Sequence, residues 1–184
     1  MLVRAAFVFA ASFALATPAA AAVTVIGSNA ARQCYEAADA PFAARPETLA
    51  MCDRALNGPL LSTRDLVATY VNRGILRVRG GNLAGGIEDF DAAIARDPTV
   101  AEAYFNRGVA LLRTRGAAAA LPSFEQAVER GTDQPALAYF GRAVALEALG
   151  DVRRAYADYR RASELDPEWD RPRTELARFS VRGD

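Results

Sequence analysis

Residues 101–135 read AEAYFNRGVALLRTRGAAAALPSFEQAVERGTDQP, and the chain writes this sentence three times. Before it stand ATYVNRGILRV at 68–78 and LAGGIEDFDAAIARDP at 83–98; after it stand LAYFGRAVALEALGD at 137–151 and VRRAYADYRRASELDP at 152–167. Self-similarity at a fixed period outranks other signals, because each copy is one structural unit. Tyr70, Tyr104 and Tyr139 are spaced 34 and 35 residues apart, so the second copy carries one extra residue, placed in the loop 131–135. Small residues recur at Gly74, Gly108 and Ala143, and again at Gly86, Ala120 and Ala155. Aromatics follow at Phe90, Phe124 and Tyr159, then alanines at Ala93, Ala127 and Ala162; Pro98 and Pro167 close the first and third copies. Small residues let two antiparallel helices approach, and the aromatics fill the space to the next pair. One such pair cannot bury its apolar face alone, so the copies must stack.

In period and in the order aromatic, small, small, aromatic, alanine, proline, the pattern resembles the tetratricopeptide repeat. The resemblance is strong over residues 67–169. It implies an all-α fold, a right-handed superhelical stack of antiparallel helix pairs, with repeats at 67–100, 101–135 and 136–169. Residues 170–184 then hold a capping helix and tail, the helix expected over Pro172 to Phe179, with Leu176 and Phe179 toward the last repeat. A degenerate pair is expected at 29–58, preceded by a short arm at 23–28. Pro122 is expected in the first turn of its helix, where a missing amide proton is tolerable.

The N-terminus reads as a leader. Arg4 precedes an apolar run from Ala5 to Ala16, Pro18 breaks it, and small residues follow to Ala22. This is the pattern of a secretory signal peptide cleaved after Ala22. The other reading is an uncleaved anchor, although the run is shorter than the roughly 20 residues that span a bilayer. The expected location is the periplasm or exterior of a Gram-negative-type bacterium. The chain has 22 basic and 22 acidic residues, and every basic residue is arginine. A balanced charge offers nothing to nucleic acid or to an anionic surface. There is no histidine, which removes the commonest general base and metal ligand. No phosphate loop or nucleophile elbow is present. The expectation is a non-enzyme without a cofactor or metal.

Two cysteines, Cys34 and Cys52, remain. In an oxidising compartment an isolated pair is most often a structural disulfide; two free buried thiols are the other reading. Cys52 stands where the later copies place Phe90, so a bridge would replace an aromatic knob in the terminal hairpin.

Two further sets carry the functional expectations. Arg73 and Arg142 are expected to pair with Asp89 and Asp158 within their hairpins, a half-buried guanidinium needing a partner; the competing reading is an arginine row for an acidic ligand. Ser123 stands at the aspartate position of the second copy. By resemblance, the first helices line a concave groove through Val71, Ile75 and Val78, then Glu102, Phe105, Asn106, Val109 and Leu112, then Leu137, Phe140, Val144 and Glu147. A mostly apolar groove implies a protein or peptide partner, unless the stack is tight or the arm covers it. The clamp by which some family members hold a chaperone's C-terminal carboxylates does not carry over: only Asn106 matches it, and Val71, Ile75, Leu137 and Gly141 fill the other places. The chain therefore reads as a peptide- or protein-binding adaptor of the cell envelope, or alternatively as a permanent structural subunit of an envelope assembly.

Overall fold

The computed structural model describes residues 22–25, 29–40, 45–58 and 61–179. The leader (apart from Ala22), residues 26–28 of the arm and the last five residues lie outside this set. Nine helices occur among the described residues: α1 Asn29–Asp39, α2 Pro46–Leu56, α3 Thr63–Arg79, α4 Leu83–Arg96, α5 Ala101–Thr114, α6 Ala117–Arg130, α7 Pro135–Ala148, α8 Val152–Leu165 and α9 Asp170–Leu176.

Their ends follow local chemistry. The Ser62 hydroxyl accepts from the Asp65 amide (3.1 Å) and donates to the Asp65 carboxylate (2.8 Å), starting α3. The Asn82 side chain caps α4 through the Gly85 amide (2.9 Å). Asp151 does the same for α8 through Arg154 (3.2 Å). Each cap satisfies an amide that has no helical partner. The α6 helix ends at Gly131, whose φ of 74° favours a residue without a Cβ.

Two expectations need correction here. Pro122 is the sixth residue of α6, not part of its first turn. Its missing amide deprives the Ala118 carbonyl of a helical donor; Ala118 is exposed, so water can serve that oxygen. The capping helix begins at Asp170 and ends at Leu176, with Phe179 beyond it, rather than spanning Pro172 to Phe179.

Consecutive helices pack as hairpins, and the first helices also touch along the stack, α3 against α5 and α5 against α7. The buried apolar residues form one large cluster from α1 to α7, a second around Phe140 and Tyr159 at the C-terminal end, and a small third around Val25. Phe90, Phe124 and Tyr159 are the buried aromatics from the second helices. A Cβ added to Gly74 would lie 2.5 Å from the Phe90 ring. Phe124 is enclosed on two sides, because added Cβ atoms at Gly108 and Gly141 would lie 2.8 and 2.6 Å from it. Real Cβ atoms do not come so close, so the small residues of the repeat make room for the ring of the second helix. At the C-terminal end Trp169, Leu176 and Phe179 pack against the cluster of Phe140 and Tyr159. This covers the face that has no further repeat.

Candidate functional site

The first helices of the repeats, α3, α5 and α7, form the inner layer, and most of the expected groove residues fall into two groups there. Val71, Ile75, Phe105, Asn106 and Phe140 are buried, with Val71 at 0% and Phe105 at 2% exposure. They therefore do not form an open groove lining. Phe105 packs on Phe124 at 6.3 Å between ring centres, and Phe140 on Tyr159 at 5.3 Å and Trp169 at 4.9 Å. The stack is tight, and these side chains point into it. Val78, Val109, Leu112, Leu137 and Val144 are half-buried, each packed against the core with part of its apolar surface left to solvent. The two glutamates of the set are engaged. Glu102 accepts from the Asp133 amide (3.1 Å), fastening the loop that holds the extra residue. Glu147 accepts from the Tyr159 hydroxyl (2.8 Å) and pairs with Arg178 (2.9 Å).

The N-terminal end of the inner layer is occupied by the chain's own arm. The Asn72 carboxamide accepts from the Val23 amide (2.9 Å) and donates to the Val23 carbonyl (2.8 Å). Ala22 and Val23 pack against the core cluster that contains Val71 and Ile75, and Val25 is buried in a cluster with Ala31, Ala55 and Ala68. Of the two readings of the groove, open or covered by the arm, the structure gives a covered N-terminal end. Sequence reasoning did not single out Asn72. Its signal was the matching register of Asn72 and Asn106, with Gly141 in the third copy because Phe124 needs the space there.

The arginines behave as intramolecular pairs. Arg73 holds Asp89 through Nε and Nη2 (2.6 Å at the closest) and reaches Asp53 at 2.7 Å, while Arg77 approaches Asp89 at 3.0 Å. Burial pushes the Asp89 carboxyl above the ordinary carboxylate range, against the pull of Arg73 and Arg77. Arg142 holds Asp158 with two bonds of 2.7 and 2.9 Å, and this bond raises the guanidinium further above its already high value. In the middle repeat Arg107 donates to the Ser123 hydroxyl (3.0 Å) and pairs with Asp91 (2.8 Å). The serine thus replaces the carboxylate without leaving the arginine unserved.

A second arginine set stacks on the repeat tyrosines. Arg96 lies 4.5 Å from the Tyr70 ring centre and Arg130 lies 4.6 Å from that of Tyr104. Arg73, Arg107 and Arg142 flank Tyr70, Tyr104 and Tyr139 at 5.3–5.8 Å. Stacking of this kind contributes about 0.5–1 kcal/mol at exposed sites. It ties the end of each second helix back to the first helix of its own hairpin. The 34-residue spacing of Arg96 and Arg130 carried this signal, and Leu165 ends the series.

Cys34 and Cys52 form a disulfide with Cα atoms 4.9 Å apart, both residues fully buried. Among the described residues no cluster of acids and cysteines could hold a metal, and no helix is long and apolar enough to cross a membrane.

The tetratricopeptide repeat profile matches residues 71–135 and, in a second form, residues 136–169, together more than half of the chain. The chain is a tetratricopeptide repeat (TPR) protein. Solved structures agree on the fold. "MamA RS-1 ArsTM double mutant" superposes with a TM-score of 0.62 at 21% identity, over 71% of this chain and 70% of that one. The Arabidopsis OM64 TPR domain gives 0.60 at 22%, over 64% and 96%. The first TPR of Spaghetti (RPAP3), bound to the HSP90 peptide SRMEEVD, gives 0.59 at 24%, over 65% and 94%. No curated protein matches the sequence. The repeats establish the TPR solenoid and its class, a module for protein–protein interaction.

Proposed function

We propose that this TPR protein is a non-catalytic adaptor of the cell envelope that takes a protein or peptide partner along its inner face. The observation that carries the reading is the set of half-buried apolar side chains on α3, α5 and α7, Val78, Val109, Leu112, Leu137 and Val144. Val78 and Leu112 share one register of the repeat, 34 residues apart, and Val109 and Val144 another, 35 apart, as an extended or helical partner would require. The leader pattern at 1–22 supports export, and the two paired cysteines fit an oxidising compartment. The neighbour bound to an HSP90 peptide supports the peptide-binding reading in general. Its ligand does not transfer, because Val71, Ile75, Leu137 and Gly141 offer no donors for terminal carboxylates.

A photoreactive residue at Val109 or Leu137, introduced in cells, tests the proposal. Crosslinks to a discrete partner from both positions are expected. A photoreactive residue at exposed Arg153 on α8 serves as control. Equal products from Arg153, or none from either inner position, would remove the inner face from consideration. Recovery of the product in the cytosolic fraction, with the leader intact, would overturn export.

A further inference from the structure

The arm engages its own TPR domain in the way an extended peptide would. Val23 presents both of its backbone groups to one side chain, Asn72, at 2.9 and 2.8 Å. Thr24 is exposed and Val25 is buried, the alternation of an extended segment. The spacing fits α3. Two residues of extended chain advance about 6.6 Å, and the four helical residues from Asn72 back to Ala68 span about 6 Å. Val23 therefore meets Asn72 while Val25 reaches the cluster of Ala68, Ala31 and Ala55. Asn72 itself has no exposed surface. A buried carboxamide needs both of its partners, so whatever lies on this part of α3 must supply one amide hydrogen and one carbonyl oxygen.

From this we infer that the N-terminal end of the inner face is a peptide site held shut by residues 23–25. It opens only when an extended segment of the same chemistry displaces them. That chemistry is specific in form: a backbone rung for Asn72, followed two residues later by a β-branched apolar side chain small enough for a pocket walled by three alanines. The inference rests on the adaptor reading and adds to it a gate. A partner contacting only α5 and α7 binds without disturbing the arm, whereas one that runs the full length of the face must displace it. A ligand's apparent affinity falls by the fraction of molecules that are open. The arm thus sets a threshold for full engagement.

The test uses the whole chain and a labelled peptide copying residues 22–26, read by fluorescence anisotropy. Val25→Asp places a charge in the alanine pocket and releases the arm; far-UV circular dichroism checks that the variant retains its helices. The peptide should bind V25D at least tenfold more tightly than the wild type, and V25D/N72A should lose that gain. Equal binding to wild type and V25D overturns the gate. Binding to neither overturns it too, and leaves the adaptor reading standing if Leu137 still yields its crosslink. Hydrogen exchange supplies a readout that needs no ligand. The amides of Thr24 and Val25 should be protected in the wild type and exchange at least tenfold faster in N72A. Unprotected amides in the wild type overturn the seat. A dimer by light scattering that dissociates in V25D would place the arm in a second copy and overturn the intramolecular gate.

Discussion

The first hairpin and the three repeats that follow it answer the same packing problem by different means. In the repeats a buried aromatic on the second helix sits beside the small residue of the first, as Phe90 does at Gly74 and Phe124 at Gly108. The α1–α2 hairpin has no such aromatic. Alanines and a disulfide lie at its interface, with Ala31, Cys34, Ala38, Cys52 and Ala55 all buried. An end unit has one neighbour instead of two, so it can gain less from burial. A covalent link restricts the unfolded chain and asks for little apolar area. The comparison teaches that the repeats are stabilised by area shared between neighbours, and the hairpin by a constraint internal to it.

Four changes would break or sharpen this contrast. Phe124→Ala should have the largest effect, about 4 kcal/mol, as expected for emptying a well-packed aromatic site. Because the ring is enclosed by α5 and α7, chemical denaturation should show loss of cooperativity between repeats as well as a lower midpoint. A change below about 1 kcal/mol would contradict the shared-knob description. Replacing both Cys34 and Cys52 by alanine should cost about 3 kcal/mol in the chain-entropy treatment of a loop of this length. That loss should be local: hydrogen exchange should rise in α1 and α2 while α5 to α8 stay protected. Uniform loss across all helices would show that the hairpin and the repeats form one cooperative unit.

Gly141→Asn restores the residue found at the matching position of the other two copies. It should nevertheless destabilise by about 2 kcal/mol, since the new Cβ meets the Phe124 ring. A neutral outcome in thermal unfolding would mean that the ring can move aside.

The smallest effect concerns pH. Burial and the bond to Glu147 push the Tyr159 hydroxyl far above its ordinary value. The folded chain therefore keeps a proton that the unfolded chain releases near pH 10. A pKa raised on folding gives stability that is complete below the unfolded value and is lost as pH rises past it. The unfolding midpoint should fall between pH 9.5 and 11, values set by about the ordinary tyrosine pKa. The absence of lysine keeps this window free of ammonium titrations. Tyr159→Phe should lower stability by about 1 kcal/mol at neutral pH and flatten the alkaline slope. An unchanged slope would assign it to another group.

Much of the fold could be read in advance because its signals are local. Gly80–Gly81, Gly116, Gly131 and Gly150 mark helix ends, and Ser62 and Asp151 mark starts; the repeat supplied the pairing of helices without any distance information. The Arg73–Asp89 and Arg142–Asp158 pairs were legible for the same reason, since both partners lie inside one hairpin. The inner face was not. Register places Val71, Ile75, Phe105 and Phe140 on the first helices, but whether such a residue is open or enclosed depends on how tightly neighbouring hairpins close, which no single repeat encodes. Pro122 was misplaced by a small margin, because its effect depends on where the helix begins. Asn72 was overlooked because its partner, Val23, lies 49 residues away, and neither residue carries a motif.

The position of Phe124 between Gly108 and Gly141 has a consequence for how such a chain can change length. The ring belongs as much to α7 as to its own hairpin, so the module that carries a complete interface is α6 with α7, half a period out of step with the written repeat. A repeat copied as residues 101–135 and inserted after itself would carry Gly108 with it but not Gly141, which belongs to the next repeat. The first Phe124 ring would then face the Asn106 of the new copy, where it now faces bare backbone. Lengthening the array by one written repeat therefore calls for a second change, asparagine to glycine, at the new seam.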